Sequence, residues 1–264
     1  MRAVKRYSII LLVFFLSGCS FTFIYNHVDW WINWYVDDYV DLNKAQQREF
    51  DSIIEQTLLW HRQTQLSIYI KQLRKFKSNV NDGISLKQLT EHNRLLRQHW
   101  LVLKEKVGPQ LVPVAFSLND KQRLQLLNAI NERNNEIRTE HKNLSREEWL
   151  TERYDDYHDG FREWFGKLTQ DQKENIRQHV QSFKSTFDYW IEFRELWHRQ
   201  FSLLLNEELE RDVFSQIFVE LVSNGRELRI PEHRQLSLQN NGVYLEMLHY
   251  QLNNMTDKQQ RRFY

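Results

Sequence analysis

Phe50, Ile53, Ile54, Thr57, Leu58, Leu66, Tyr69, Ile70, Leu73 and Phe76 follow one another at steps of three and four, with one longer gap around His61 and Arg62. That period lays them along one face of a helix. It predicts a helix over 43–80, roughly 55 Å long at a rise of about 1.5 Å per residue. Similar spacing predicts helices over 85–107, 119–141, 145–165, 169–205, 207–223 and 231–254, and the stretch 25–42 reads as a further one.

Capping chemistry places the starts. In Leu144-Ser145-Arg146-Glu147-Glu148-Trp149 the Ser145 hydroxyl accepts from the amide of Glu148, Glu148 reaches back, and Leu144 and Trp149 staple across the turn. Ile84-Ser85-Leu86-Lys87-Gln88-Leu89 repeats the arrangement. Shorter versions stand at Leu42-Asn43-x-x-Gln46, Leu118-Asn119-x-x-Gln122, Leu168-Thr169-x-x-Gln172 and Met255-Thr256-x-x-Gln259. Stops are read at Asn81-Asp82-Gly83 and Asn224-Gly225. Gly108-Pro109 with Pro113 reads as a bent connection between helices. The expected fold is all-α, an elongated multi-helix bundle of about eight helices. No linker or low-complexity tract interrupts 19–264, which reads as one domain.

Composition agrees. Seven Gly and three Pro in 264 residues, against a usual share of about 12% for the two together, are too few for the turns of a β-sandwich or a Rossmann-type fold. A charged fraction of 27% beside 41% apolar residues excludes a disordered chain, and nine Trp argue for a core. The formal charge of +1 gives no electrostatic case for nucleic acid. One Cys makes neither an internal disulfide nor a C-x-x-C site.

That Cys has a specific setting. Arg2, Lys5 and Arg6 form a positive segment, and Ile9 to Leu16 is an apolar run of eight residues, too short to cross a hydrocarbon core of about 30 Å. Leu16-Ser17-Gly18-Cys19 resembles the bacterial lipobox, in which the cysteine sulfur takes a diacylglycerol and becomes the mature N-terminus. The resemblance implies a cleaved leader over 1–18, lipidation of Cys19 and a stable anchor of several acyl chains. Ser20 stands where an Asp would favour inner-membrane retention in that lipoprotein class, so the outer membrane, on its periplasmic face, is the expected location. The mature chain of 246 residues then carries 33 basic and 35 acidic residues, a formal charge of −2.

Aromatic and acidic residues are densest just after the lipobox, from Tyr25 to Leu42. On a helix, Tyr25, Val28, Ile32, Tyr35 and Tyr39 would share one stripe and Trp30, Trp34, Asp37 and Asp41 another. Three readings follow: a core helix whose acids pair with Arg or cap a neighbour, an interfacial segment with its rings at the headgroup level, and a ligand or catalytic site. Tyr25, Asp29, Trp30, Asp37, Asp38, Tyr39, Asp41 and His61 are the candidate cluster. Tyr25-Asn26-x-x-Asp29-Trp30, Asp37-Asp38-Tyr39-Val40-Asp41-Leu42 and Gln46 resemble the signature of an uncharacterised family of Gram-negative helical lipoproteins, a domain of unknown function. That resemblance implies a lipid-anchored, all-α periplasmic protein and supplies no activity. Leu168-Thr169-Gln170-Asp171-Gln172 is similar to the L-T-x-x-Q motif of periplasmic chaperones of the Spy and CpxP kind, although capping alone accounts for it.

Two further patterns stand out. Asp37-Asp38-Tyr39-Val40-Asp41 recurs as Asp155-Asp156-Tyr157-His158-Asp159, and Leu59-Trp60-His61-Arg62-Gln63 as Leu196-Trp197-His198-Arg199-Gln200. With the capping starts between them, they suggest an internal duplication of 25–140 and 141–264. Asp155, His158 and Asp159 stand at i, i+3 and i+4, the spacing of three metal ligands on one helix face. Arg153 and Arg162 beside them favour a salt-bridged surface patch instead. No H-E-x-x-H, G-x-S-x-G, P-loop or G-x-G-x-x-G occurs, and no cofactor is implied. The leading expectation is a non-enzymatic, lipid-anchored interaction or chaperone-like module that contacts the membrane through its anchor and binds an envelope protein. The alternative is an envelope enzyme acting on peptidoglycan or lipid through an acidic and histidine pocket.

Overall fold

The computed structural model describes residues 25, 27–141 and 144–263. The leader over 1–18 and Cys19 lie outside them. α1 spans Val28–Asp37, α2 Lys44–Trp60 and α3 Leu66–Asn81, and a π turn over His61–Gln65 joins α2 and α3 into one rod. α4 (Leu86–Phe116) and α5 (Asp120–His141) follow, then α6 (Arg146–Phe165), α7 (Gln170–Ser182) and α8 (Phe187–Asn206). α9 (Arg211–Asn224) runs into a 3₁₀ turn over Gly225–Leu228, and α10 (Pro231–Asn253) and α11 (Asp257–Phe263) complete the chain. No strand occurs among the described residues, so the fold is all-α.

Local chemistry explains the starts. All six capping pairs form: Glu148 N–H donates to Ser145 Oγ at 3.2 Å and Ser145 N–H to Glu148 Oε2 at 2.8 Å. The other five pair in the same reciprocal way. Gly83, at φ +81°, ends α3 in a conformation that side chains rarely adopt. The gap in the apolar pattern after Leu58 is the π turn: one extra residue enters the helix, and the apolar face resumes in register at Leu66.

Three expectations about helix limits are corrected. α4 does not end at 107 but runs to Phe116, so Gly108, Pro109 and Pro113 lie inside a helix. Each proline removes a hydrogen bond and costs a helix interior about 3 kcal/mol. Pro109 and Glu105, whose carbonyl loses its partner, face solvent, where water replaces the bond. Val112 and Val114, on opposite sides of the helix, are buried in separate cores, each worth about 1.5–3 kcal/mol. Gly108 lets α4 approach α9 so closely that a Cβ there would sit 2.8 Å from Ser223 Oγ. The helix expected over 169–205 is two, because Phe183–Thr186 are irregular. There Asn240 accepts from the Lys184 N–H at 3.1 Å and donates to its carbonyl at 2.7 Å, replacing the bonds a continuous helix would make. With this break and the terminal helix α11, the expected eight helices become ten, counting α2, the π turn and α3 as one.

The largest core joins Ile84 and Leu89 to Phe161, Ile176, Val180 and Met247. A second joins Val112 and Leu127 to Phe201, Leu205, Phe214 and Phe218. A small third, Phe50, Ile54 and Val114, is flanked by Ile32 and Val36 of α1. The two large cores each draw side chains from 25–140 and from 141–264, so the sequence halves interleave. The repeated motifs fall in different local structure: Asp37–Asp41 closes α1 and leads into α2, whereas Asp155–Asp159 lies inside α6. Leu59–Gln63 enters the π turn, whereas Leu196–Gln200 lies inside α8.

Candidate functional site

α1 has no buried residue. Spaced at i, i+4 and i+8, Val28, Ile32 and Val36 turn its apolar stripe inward against α2 and α4, as the helical period requires. The opposite side carries Trp30, Trp31 and Trp34, which are 57%, 44% and 52% exposed. Trp30 and Trp31 meet edge to face with ring centroids 4.8 Å apart, and Trp31 and Trp34 do so at 6.0 Å. Aromatic side chains of this size dominate core energetics when buried, so three tryptophans left in contact with water form an unused apolar surface. The stretch is therefore not a core helix. α1 also ends at Asp37, so Tyr39 and Asp41 leave the helical stripes expected for them.

α1 roofs two apolar cavities. The first, about 480 Å³, lies between α1, α2 and α4 and is lined by Val28, Ile32, Ile54, Leu103 and Val107 among others. Tyr25, Thr57, His61 and Lys104 also line it, but its wall is almost entirely apolar. The second, about 500 Å³, lies beyond Val36, Phe50 and Leu111, which the two share, and is lined by Tyr39, Asn134, Arg194 and Phe201 among others.

The π turn brings His61 to the first cavity. The Tyr25 hydroxyl lies 2.9 Å from His61 Nδ1, and the Tyr69 ring packs against the imidazole with centroids 5.3 Å apart. Burial pushes the His61 pKa down, because the charged imidazolium would lose hydration there. At the second cavity the Tyr39 and Tyr35 hydroxyls are 3.0 Å apart. Burial, and then the bond to Tyr35, push the Tyr39 pKa up to about 12. Arg194 Nε donates to Asn134 Oδ1 at 2.7 Å.

The acids of the cluster do not converge. Asp29 lines a separate polar recess with Asn33, Asp51, Glu55 and Arg62. Asp37 ends α1, and Asp38 caps it through its backbone N–H. Asp41 acts through its main chain, donating to Gln125 Oε1 at 3.1 Å and accepting from Gln122 Nε2 at 2.7 Å. None of the four lines either apolar cavity. The structure thus unites Tyr25 with His61 and Tyr39 with Tyr35, and it leaves Trp30 and the carboxylates apart.

Among the described residues no group of three or more His, Cys, Asp or Glu side chains is placed to hold a metal ion. Of the Asp155, His158 and Asp159 trio, His158 and Asp159 are spent on surface pairs. His158 Nδ1 lies 3.0 Å from Asp159 Oδ1, Asp159 meets Arg162 at 3.3 Å, and Arg153 meets Asp156 at 2.7 Å. Sequence reasoning passed over Lys104, Thr57, Asn134 and Arg194. Lys104 carried a signal, as the first charge after the apolar run Trp100-Leu101-Val102-Leu103.

No helix among the described residues is long and apolar enough to cross a membrane. A family model described as a family of unknown function, DUF6279, matches residues 38–234, which takes in the Asp38–Leu42 end of the opening motif and begins just after α1. No curated protein and no solved structure matches the chain.

Proposed function

The chain belongs to DUF6279, a family of unknown function, and from that premise we propose that it is a lipid-anchored, non-enzymatic interaction module of the cell envelope. It is held at the periplasmic face of the outer membrane with the outer side of α1 in the interface. The observation that carries this reading is the exposed trio Trp30, Trp31 and Trp34 on a helix with no buried residue. Trp30 follows the lipobox Cys19 by only 11 residues. Indole rings are favoured at the headgroup level, and an acyl anchor combined with a second membrane contact holds more firmly than either alone. An envelope enzyme working through an acidic and histidine pocket finds less support, because the acids stand apart from His61.

Two measurements test the reading. Cys19→Ser should release the exported protein from the mature membrane-bound form; persistence of that form would remove the anchor. Indole fluorescence of the native protein in vesicles with brominated acyl chains should be quenched, and Trp30→Ser, Trp31→Ser and Trp34→Ser together should abolish the quenching. Equal quenching in the triple variant would place the membrane contact elsewhere.

A further inference from the structure

We propose that the cavity between α1, α2 and α4 binds one long alkyl chain of a monoacyl amphiphile with an anionic head group, a free fatty acid in chemical class, and that Lys104 receives the head group. The inference goes beyond the anchoring role and does not depend on it. The cavity volume of about 480 Å³ falls within the range of small-molecule sites, about 300–1,000 Å³. The lining runs along α4 from Trp100 to Leu111, roughly 16 Å at the helical rise, which is the shape of a slot for an extended hydrocarbon. Walls this apolar favour an apolar guest over water.

Two lining residues, Lys104 and Thr57, carry polar groups just behind this apolar wall, and they define the rest of the ligand. Lys104 Nζ donates to the Ser223 carbonyl, and no carboxylate pairs with it among the described residues. An ammonium has three donors, so it retains donors for an incoming anion. Burial and then Arg226 disfavour its charge, against a smaller favourable effect of Glu105, and a bound carboxylate would offset what remains of that penalty. The Thr57 hydroxyl is buried with no hydrogen-bond partner, and unpaired buried groups of this kind are uncommon. α1 forms one wall of the slot without burying any residue of its own, so lifting it opens a route for the chain.

The test uses the full chain carrying Cys19→Ser, which cannot be acylated, with cis-parinaric acid as the fluorescent probe and palmitate as competitor. Saturable 1:1 binding is expected, with palmitate displacing the probe. Leu103→Trp, which fills the slot, should weaken binding by more than about tenfold, and Lys104→Gln should weaken palmitate by about tenfold while leaving the matching fatty alcohol unchanged. Lys104→Gln lies at the partly exposed rim and guards against a Leu103→Trp that fails to fold, which circular dichroism would reveal. Absence of saturable binding overturns the site, as does full binding to a folded Leu103→Trp. Equal effects of Lys104→Gln on acid and alcohol overturn the head-group assignment. Binding to the Cys19→Ser chain but not to the lipidated protein would make the protein's own acyl chain the occupant and overturn the free-ligand proposal.

Discussion

The side-chain amides of Gln172 and Gln259 lie 2.8 Å apart although 87 residues separate them in the chain, and both are fully or almost fully buried. Each belongs to a capping box and reaches past its partner to the carbonyl two residues before the partner's N-cap. Gln172 Nε2 donates to Asn254 O at 3.2 Å and Gln259 Nε2 to Lys167 O at 3.0 Å. Gln46 and Gln122 repeat the relation, donating to Ser117 O at 2.9 Å and Asp41 O at 2.7 Å. Four helix starts are thus clasped in two pairs.

Gln259→Ala should therefore cost more than a lost cap. Capping alone accounts for about 1 kcal/mol, and losing the bonds to the Lys167 carbonyl and to Gln172, which keeps only Asn254 O and the Thr169 N–H, adds about 1–3 kcal/mol. Denaturant unfolding of Gln259→Ala, Gln172→Ala and the double variant measures the coupling. The double variant should lose clearly less than the sum of the singles, and strict additivity would mean that the two amides act independently.

Two glycines in helices should respond oppositely to alanine. At Gly160 a Cβ meets nothing within 4 Å, so Gly160→Ala should gain about 0.8–1.0 kcal/mol from helix propensity. At Gly108 the same Cβ lies 2.8 Å from Ser223 Oγ, and overpacking of about 1–3 kcal/mol should exceed the propensity gain. Ser223→Ala combined with Gly108→Ala should recover part of the loss. Melting temperatures of the three variants decide the matter.

Stability should fall in mild acid. Burial pushes the pKa values of His61, His92, His99 and His233 below the ordinary 6.5. The unfolded chain therefore takes up protons first as pH drops, and the contribution from neutral burial is full above about 6.5 and declines below it toward the folded-state pKa values. Melting temperature measured from pH 7.5 to 5.5 should decrease on the acid side; a rise there would contradict the burial of these imidazoles.

Removing the α1 tryptophans should hardly change folding. Because Trp30 and Trp34 are more than half exposed, serine at both positions should shift stability by no more than about 0.5 kcal/mol in solution. Vesicle partitioning measured on the same variants should drop. A large loss of stability would instead show that the rings pack within the protein.

Much of the fold was legible because its signals are local. A capping box needs only four residues, so Ser85, Ser145 and Thr169 announce their helices unaided. The gap after Leu58 marked the π turn for the same reason. In the candidate site the sequence picked out Tyr25, Tyr39 and His61, whose surroundings are apolar helices with legible stripes. It could not separate Trp30 in a core from Trp30 in water, since the residue is chemically identical in both and only the elements packed over it differ.

The amino-acid order by itself determined the helical class, the capped starts and the Leu16–Cys19 lipobox resemblance, all carried by residues within a few positions of one another. Tertiary structure alone decided that α4 passes through Pro109 and Pro113, that Asn240 breaks the chain at Lys184, and that capping glutamines 76 and 87 residues apart clasp each other. It also decided where α1 leaves its cavities. Those outcomes depend on which distant surfaces meet, and burial against a remote partner outweighs the local cost of a proline or a broken turn.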